Sequence, residues 1–116
     1  MPILATTLVT STTHPSDSSV QTITSDKAKG DGYYGRSDGL HTVQIKFTGF
    51  IGSFVMQGSL AIDPTANDWF DIDNTDLTYA TNTDVAEIIN FTGNFVWIRT
   101  VITYTDGTVN FVLLNH

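Results

Sequence analysis

The chain contains no cysteine, which excludes disulfide bonds and thiolate metal sites. Only 15% of its 116 residues are charged, compared with about 25% in an average soluble protein. No apolar run approaches the roughly 20 residues that a membrane-spanning helix needs. Residues 1–4 lack the basic region and long apolar run of a signal peptide. These absences favour a protein that is made and used in a cytoplasm, or in a particle assembled there, without contact with a membrane.

Basic residues are also scarce, since five stand against twelve acidic residues and the net charge is −7. Phosphate binding requires a cationic surface, so direct binding to nucleic acid is not expected. The charges are unevenly distributed along the chain. Lys27, Lys29 and Arg36 lie close together, whereas from Asp63 onward eight acidic residues accompany one basic residue, Arg99. This asymmetry indicates a surface with two electrostatic faces.

Threonine, serine and asparagine take the place of charge and favour strands and turns over helices. Alternating apolar residues predict strands at 3–10, 20–25, 41–48, 53–62 and 84–89, with a turn bracketed by Gly49 and Gly52. On the most regular strand Val43, Ile45 and Phe47 share one face, which predicts a half-buried strand. We therefore predict one all-β domain over residues 1–116, an antiparallel β-sandwich or jelly-roll-like fold. Residues 1–29 form an N-terminal strand or arm segment, and residues 27–40 form a Gly-rich loop.

The C-terminal part predicts a β-hairpin. Asp106-Gly107 stands between two apolar runs, which is the strongest short signal for a two-residue hairpin turn. The turn sets a register in which Tyr104 faces Val109. One face of this hairpin is too apolar for free solvent and too polar for a core centre, which is typical of a surface that contacts another chain. That face carries Trp97, Arg99, Val101, Val112, Leu114 and His116.

The stretch GDGYYGRSDG, residues 30–39, combines four glycines with two tyrosines and an arginine. It superficially resembles a phosphate loop, but such loops precede a helix, and here an alternating strand follows. No serine sits in a nucleophile elbow either. We interpret the stretch as a flexible connector that grips a neighbouring protein.

Other candidate chemistries are weak. Asp68, Asp71, Asp73 and Asp76 supply closely spaced oxygen ligands, but the spacing departs from the known calcium-loop pattern, so no metal is assigned and calcium stays an open alternative. Nothing marks an acid and base pair, and Glu87 is the only glutamate. We therefore expect no cofactor and no catalysis.

The sequence context also indicates where the three histidines and four of the aromatic side chains lie. His14, His41 and His116 are not spaced as metal ligands and are expected at the surface or at strand edges. Four aromatic residues leave carbohydrate binding open, although strand-like contexts favour core positions for both tryptophans. These four are Tyr33, Tyr34, Trp69 and Trp97.

Several segments together resemble small structural proteins from the virions of tailed phages, especially phages of marine bacteria and cyanobacteria. The matching segments are YYGRSDGLHTV, the QGSLAIDP turn with DWF, the FTGNFVWIR strand and the terminal hairpin, and they cover most of residues 30–116. The resemblance implies a β-sandwich subunit attached to a capsid, neck or tail, with no catalytic residues.

The sequence therefore predicts a non-enzymatic phage virion protein that is assembled in the host cytoplasm. Its expected role is capsid decoration or cementing, as a homo-oligomer bound to the major capsid protein or other virion proteins. A neck or tail accessory subunit and a carbohydrate-binding module for host attachment are the alternatives. The predicted protein-contact residues are Lys27, Lys29, Tyr33, Tyr34, Arg36, Trp97, Arg99, Leu114 and His116.

Overall fold

The computed structural model describes residues 6–17, 19–35 and 39–115. Regular structure in these residues is almost entirely β, and every strand pair is antiparallel, which confirms the predicted fold class. In this part of the chain no helix is long and apolar enough to cross a membrane. The strands are β1 (Thr6–Val9), β2 (Thr12–Thr13), β3 (Gln21–Thr24), β4 (Ala28–Lys29), β5 (Leu40–Ser59), β6 (Phe70–Asp71), β7 (Leu77–Thr92) and β8 (Trp97–Asn115), with a short 3₁₀ helix at Ala66–Asp68.

Two long strands, β5 and β8, form the middle of one eight-stranded sheet. They pair along nearly their whole lengths, so that Ser59 lies opposite Trp97 at one end. Strands β1 to β4 follow one another along the outer edge of β8, from Thr6 opposite Leu114 to Lys29 opposite Trp97. On the other side β6 and β7 both pair with β5. The described residues between Thr6 and Lys29 therefore form an edge of the sheet.

Strand β5 bends sharply in its middle. A straight strand of its 20 residues would measure about 66 Å, whereas the longest dimension of the molecule is 43 Å. The rings of Phe47 and Phe54, on opposite sides of the bend, have centroids only 6.1 Å apart. The bend falls at Gly49, which has a φ of 60°, and Gly52. The predicted turn there is wrong, because the chain bends within one strand and folds the sheet into two layers.

The predicted terminal β-hairpin is also wrong. Strand β8 runs from Trp97 to Asn115 without reversing, and Asp106 lies opposite Ile51, at the bend of β5. A Cβ atom at Gly107 would come within 2.4 Å of the backbone oxygen at the facing bend, and its φ is 99°. Asp106-Gly107 thus supplies the positive φ of a β-bulge, where the strand changes direction. The cross-strand pairs derived from a hairpin fail because both halves of β8 pair with β5.

The core lies between the two layers. The predicted alternation on β5 is confirmed, since Val43, Ile45 and Phe47 are each at most 1% exposed. The strand predicted at 84–89 is confirmed as part of β7. Residues from β1, β7 and β8 join these side chains in one apolar cluster. A single hydrophobic core therefore holds the two layers of the sheet together.

Candidate protein-contact surface

The Gly-rich stretch is docked against the beginning of β8 where the structure describes it. Gly30 N–H donates to the carbonyl oxygen of Val96 (3.0 Å), and Gly32 N–H donates to that of Phe95 (2.9 Å). A Cβ atom at either glycine would lie 2.3 Å from a backbone oxygen. Residues 30–35 then turn tightly through three successive backbone hydrogen bonds, ending with Gly35 N–H to Gly32 O (3.3 Å). The interpretation of these residues as a flexible connector is wrong, because the glycines permit close packing.

A buried histidine lies beneath this loop. Asp31 N–H donates to His41 Nε2 (3.3 Å), so Nε2 is unprotonated, and Nδ1–H donates to the carbonyl oxygen of Gly39 (2.8 Å). The imidazole stacks on Phe91 with centroids 5.0 Å apart. The expected surface positions of His14 and His41 are wrong, since these side chains are 2% and 0% exposed. His41 instead joins both ends of the Gly-rich loop to the core.

Docking of the loop assembles an exposed group of aromatic and basic side chains, here called the aromatic–basic cluster. Tyr33 lies against Trp97 with centroids 5.1 Å apart, and Tyr33 and Tyr34 meet edge to face at 5.5 Å. Lys27 Nζ lies 4.4 Å from the Trp97 ring centroid, and Lys29 Nζ lies 4.6 Å from that of Tyr33. The cluster is therefore an exposed aromatic surface with ammonium groups held over its rings by cation–π attraction.

A second cation–π pair stands beside the cluster on the same face of the sheet. The Arg99 guanidinium lies 4.4 Å from the Trp69 ring centroid, and Arg99 Nε donates to Gln57 Oε1 (2.8 Å). Gln57 Nε2 in turn donates to Asp71 Oδ1 (2.9 Å). Partial burial lowers the pKa of Arg99, a group that stays charged at neutral pH. Charge thus changes from positive to negative across this face, from β4 to β6.

Five of the nine predicted contact residues are brought together in the aromatic–basic cluster, and Arg99 lies beside it. Leu114 is only 1% exposed and packs in the core, so its assignment to a contact surface is wrong. The error follows from the false hairpin register. Arg36 and His116 lie outside the described residues. The two tryptophans are partly exposed at the surface, so the core positions favoured for them are wrong too.

Sequence reasoning missed an apolar pocket next to the cluster. It has a volume of about 410 Å³ and is lined by Gly58, Leu60, Ala61, Asp68, Phe70 and Phe95. Leu60 and Phe70 are 70% and 71% exposed. The residues 60–62 were predicted to continue the preceding strand, but β5 ends at Ser59. The nearby Asp63-Pro64 was the available signal, because proline restricts the residue before it and often ends a strand.

Two of the four aspartates considered for calcium accept hydrogen bonds within the chain. Asp68 Oδ2 accepts hydrogen bonds from Thr65 N–H (2.7 Å) and from the Thr65 hydroxyl (3.0 Å). Asp71 accepts from Gln57, as described above. Among residues 6–17, 19–35 and 39–115, no three carboxylate or imidazole groups lie close enough together to hold a metal ion.

Comparison with known protein families and with curated protein sequences finds no match to this chain. The described surface combines four aromatic rings, three cations and an apolar pocket at one end of a rigid sheet. Such a surface can bind a ligand that offers flat apolar area together with negative charge.

Proposed function

We propose that this chain is a non-enzymatic structural protein of a phage virion, a capsid decoration or cement protein that attaches to an acidic surface of a neighbouring virion protein. The assignment to a virion comes from the sequence resemblance of residues 30–116. The observation that carries the attachment is the aromatic–basic cluster, an exposed cationic and aromatic surface on a chain of net charge −7. No catalytic, cofactor or metal residue is assigned.

The placement of the cations supports an acidic partner. Of the four basic residues that the structure describes, Lys27, Lys29 and Arg99 lie on this one surface, and only Lys46 lies elsewhere, on β5. Opposite charges across an interface accelerate association and fix its orientation, while the aromatic rings supply apolar contact area. An acidic partner would therefore be drawn to this surface and repelled by the rest of the chain.

Decoration would stabilise the particle by mass action. A protein that binds only the assembled state lowers the free energy of that state in proportion to RT ln(1 + [L]/Kd). Binding across neighbouring capsid subunits adds contacts that free subunits lack. Homo-oligomerisation around a symmetry axis of the shell would multiply these contacts, since symmetric assemblies repeat each interface.

Mass spectrometry and imaging of purified particles test the proposal. We expect the chain on the particle in a copy number that matches capsid subunits or capsomers. A copy number that matches a single ring would instead support the alternative, a neck or tail accessory subunit. Absence of the chain from purified particles would overturn both assignments.

A carbohydrate-binding role in host attachment is the second candidate. The observation that favours it is the partly exposed position of both tryptophans, of which Trp97 contacts the exposed Tyr33. Exposed aromatic rings can stack on the apolar faces of sugars. A glycan array probed with the wild type and with Tyr33→Ala/Tyr34→Ala decides this candidate. Binding by the wild type that the double variant loses would support it, and no binding by either protein would dismiss it.

A further inference from the structure

Large apolar side chains are concentrated around the pocket beside the aromatic–basic cluster. Leu60, Ile62 and Phe70 expose 70%, 81% and 71% of their surfaces and lie in or next to its wall. Single exposed apolar residues are ordinary, but a contiguous group bordering a concave site marks an interaction surface. This group is therefore the part of the described surface that gains most from being covered.

The pocket is built by close packing and is preformed. The Phe95 ring forms one wall and lies over two glycines, since a Cβ atom at Gly58 or at Gly93 would approach it to 2.4 Å. The Phe95 carbonyl oxygen accepts the hydrogen bond from Gly32, so the loop that carries Tyr33 and Tyr34 also fixes this wall. The pocket and the cluster are thus parts of one rigid arrangement.

The segment 60–62 lies between the pocket and the cluster. Trp97 Nε1 donates to the carbonyl oxygen of Ile62 (2.9 Å), which ties this segment to the central ring of the cluster. Ile62, the most exposed large apolar residue of the described chain, therefore lies beside the cluster and two residues from Leu60 of the pocket. Charge differs between the two sites, with lysines at the cluster and Asp68 at the pocket.

We propose that the pocket receives one large apolar side chain from an extended segment of the partner, whose acidic residues lie over Lys27 and Lys29. This inference rests on the proposed function, because the partner is the acidic neighbour described above. The volume of about 410 Å³ exceeds that of an indole or benzyl group and matches the size of small-ligand sites. Interfaces commonly depend on one aromatic or aliphatic anchor in such a pocket, with charged residues around it. Charge complementarity sets the arrangement of the segment, since acidic residues are attracted to the lysine end and repelled at the Asp68 end.

Synthetic peptides test this arrangement directly. Each peptide carries a run of aspartates at one end, a glycine linker of varied length and a single tryptophan, in both chain directions. We expect one of them to shift the NMR signals of Leu60, Phe70 and Phe95 together with those of Lys27 and Lys29. Replacing tryptophan by alanine, or the aspartates by lysines, should weaken binding roughly tenfold or more. The absence of any shift at millimolar peptide, or equal binding by the alanine peptide, would overturn the proposal.

Matched variants distinguish the pocket from the exposed apolar surface elsewhere on the sheet. Phe70→Ser should lose peptide binding, whereas Ile88→Ser, which alters a similarly exposed residue on β7, should bind as the wild type does. Both side chains are mostly exposed, so both variants should fold. Equal binding by Phe70→Ser contradicts the proposal. Sedimentation of the isolated chain that shows self-association abolished by Phe70→Ser would assign the pocket to a second copy and also contradict it.

Attachment to virus particles distinguishes failure of this inference from failure of the proposed function. If Phe70→Ser attaches to particles as well as the wild type does, while loss of the lysines impairs attachment, only the pocket inference fails. If the wild type does not attach at all, the proposed function fails. The pocket inference is supported when both kinds of variant weaken attachment and Ile88→Ser does not.

Discussion

Glycine at positions 30 and 32 matters for packing, because a side chain there would collide with backbone atoms and not with a flexible side chain. At Gly32 the added Cβ would lie 2.3 Å from the Asn94 oxygen, and at Gly30 it would lie equally close to the Phe95 oxygen. Neither collision can be relieved by a rotamer change. The two residues therefore fix how Tyr33 and Tyr34 are presented beside Trp97.

Replacing Gly32 by alanine should destabilise the fold. We expect a loss of about 1–3 kcal/mol in the free energy of unfolding, because the backbone must shift to admit the methyl group. Urea denaturation measures this change. Gly35→Asn is the control, since Gly35 has open space around it and a φ of 70° that asparagine tolerates. Equal effects of the two variants would show that the loop is not docked as described.

The residue types of the aromatic–basic cluster could be predicted from the sequence, but the residues that each of them contacts could not. Charge asymmetry identified Lys27 and Lys29, and the loop composition identified the tyrosines, because both signals are local. Trp97 was predicted both as a contact residue and as a core residue, because alternation within a strand does not reveal which face another layer covers. Leu114 was misassigned for a related reason, since a register error moves a residue between the surface and the core.

At the scale of the strands, the sequence predicted where several strands form but not where the long strands bend. The half of β5 at 41–48 and the strand β3 were recognisable by composition and alternation. Asp106-Gly107 was not, because a two-residue hairpin turn and a glycine-type β-bulge both use a glycine with positive φ. What decides between them is the partner strand, and β5 is long enough to pair with both halves of β8. That information is not local.

Engineered disulfides test the continuous pairing of β5 with β8. Ser53 lies opposite Thr103 in the structure, so Ser53→Cys/Thr103→Cys should form a disulfide under mild oxidation. A hairpin register would instead place Thr103 opposite Asn110, so Thr103→Cys/Asn110→Cys is the matched control and should stay reduced. Because the chain has no cysteine of its own, any disulfide that forms must involve the introduced cysteines. Mass spectrometry under non-reducing conditions detects the disulfide. A disulfide in the control pair alone would support the hairpin and contradict the continuous pairing of β5 with β8.

The 3₁₀ helix at Ala66–Asp68 should respond to acid. Hydrogen bonds from the Thr65 backbone and hydroxyl lower the pKa of Asp68 below its usual 3.8. Because the folded pKa is lowered, this contribution to stability is present above pH 3.8 and is lost as the pH falls through the folded value. NMR titration of the Asp68 carboxyl carbon should give a pKa below 3.8, and Thr65→Val should raise it partway, since the backbone donor remains. A pKa at or above 3.8 in the wild type would contradict these contacts.

On the scale of the whole molecule, folding one sheet into two layers brings three of the four described basic residues to one end. This end of β8 also carries the loop and the apolar pocket, while Lys46 lies on the other half of β5, opposite Ala86 and Phe111. The loop glycines, the buried His41 and the Phe95 wall hold this end rigid. A preorganised surface binds with a smaller loss of conformational entropy, which suits a protein that attaches to a fixed partner.

Attachment to particles that lack the protein tests the role of this surface most directly. The wild type should bind and should lose affinity as salt rises, because exposed charges are screened. Lys27→Ser/Lys29→Ser should bind roughly tenfold more weakly, with a smaller salt dependence and a free energy of unfolding within about 0.5 kcal/mol of the wild type. Lys46→Ser, which removes a single lysine far from the cluster, is the control and should bind as the wild type does. If the double variant binds as tightly as the wild type at every salt concentration, the aromatic–basic cluster is not the attachment surface.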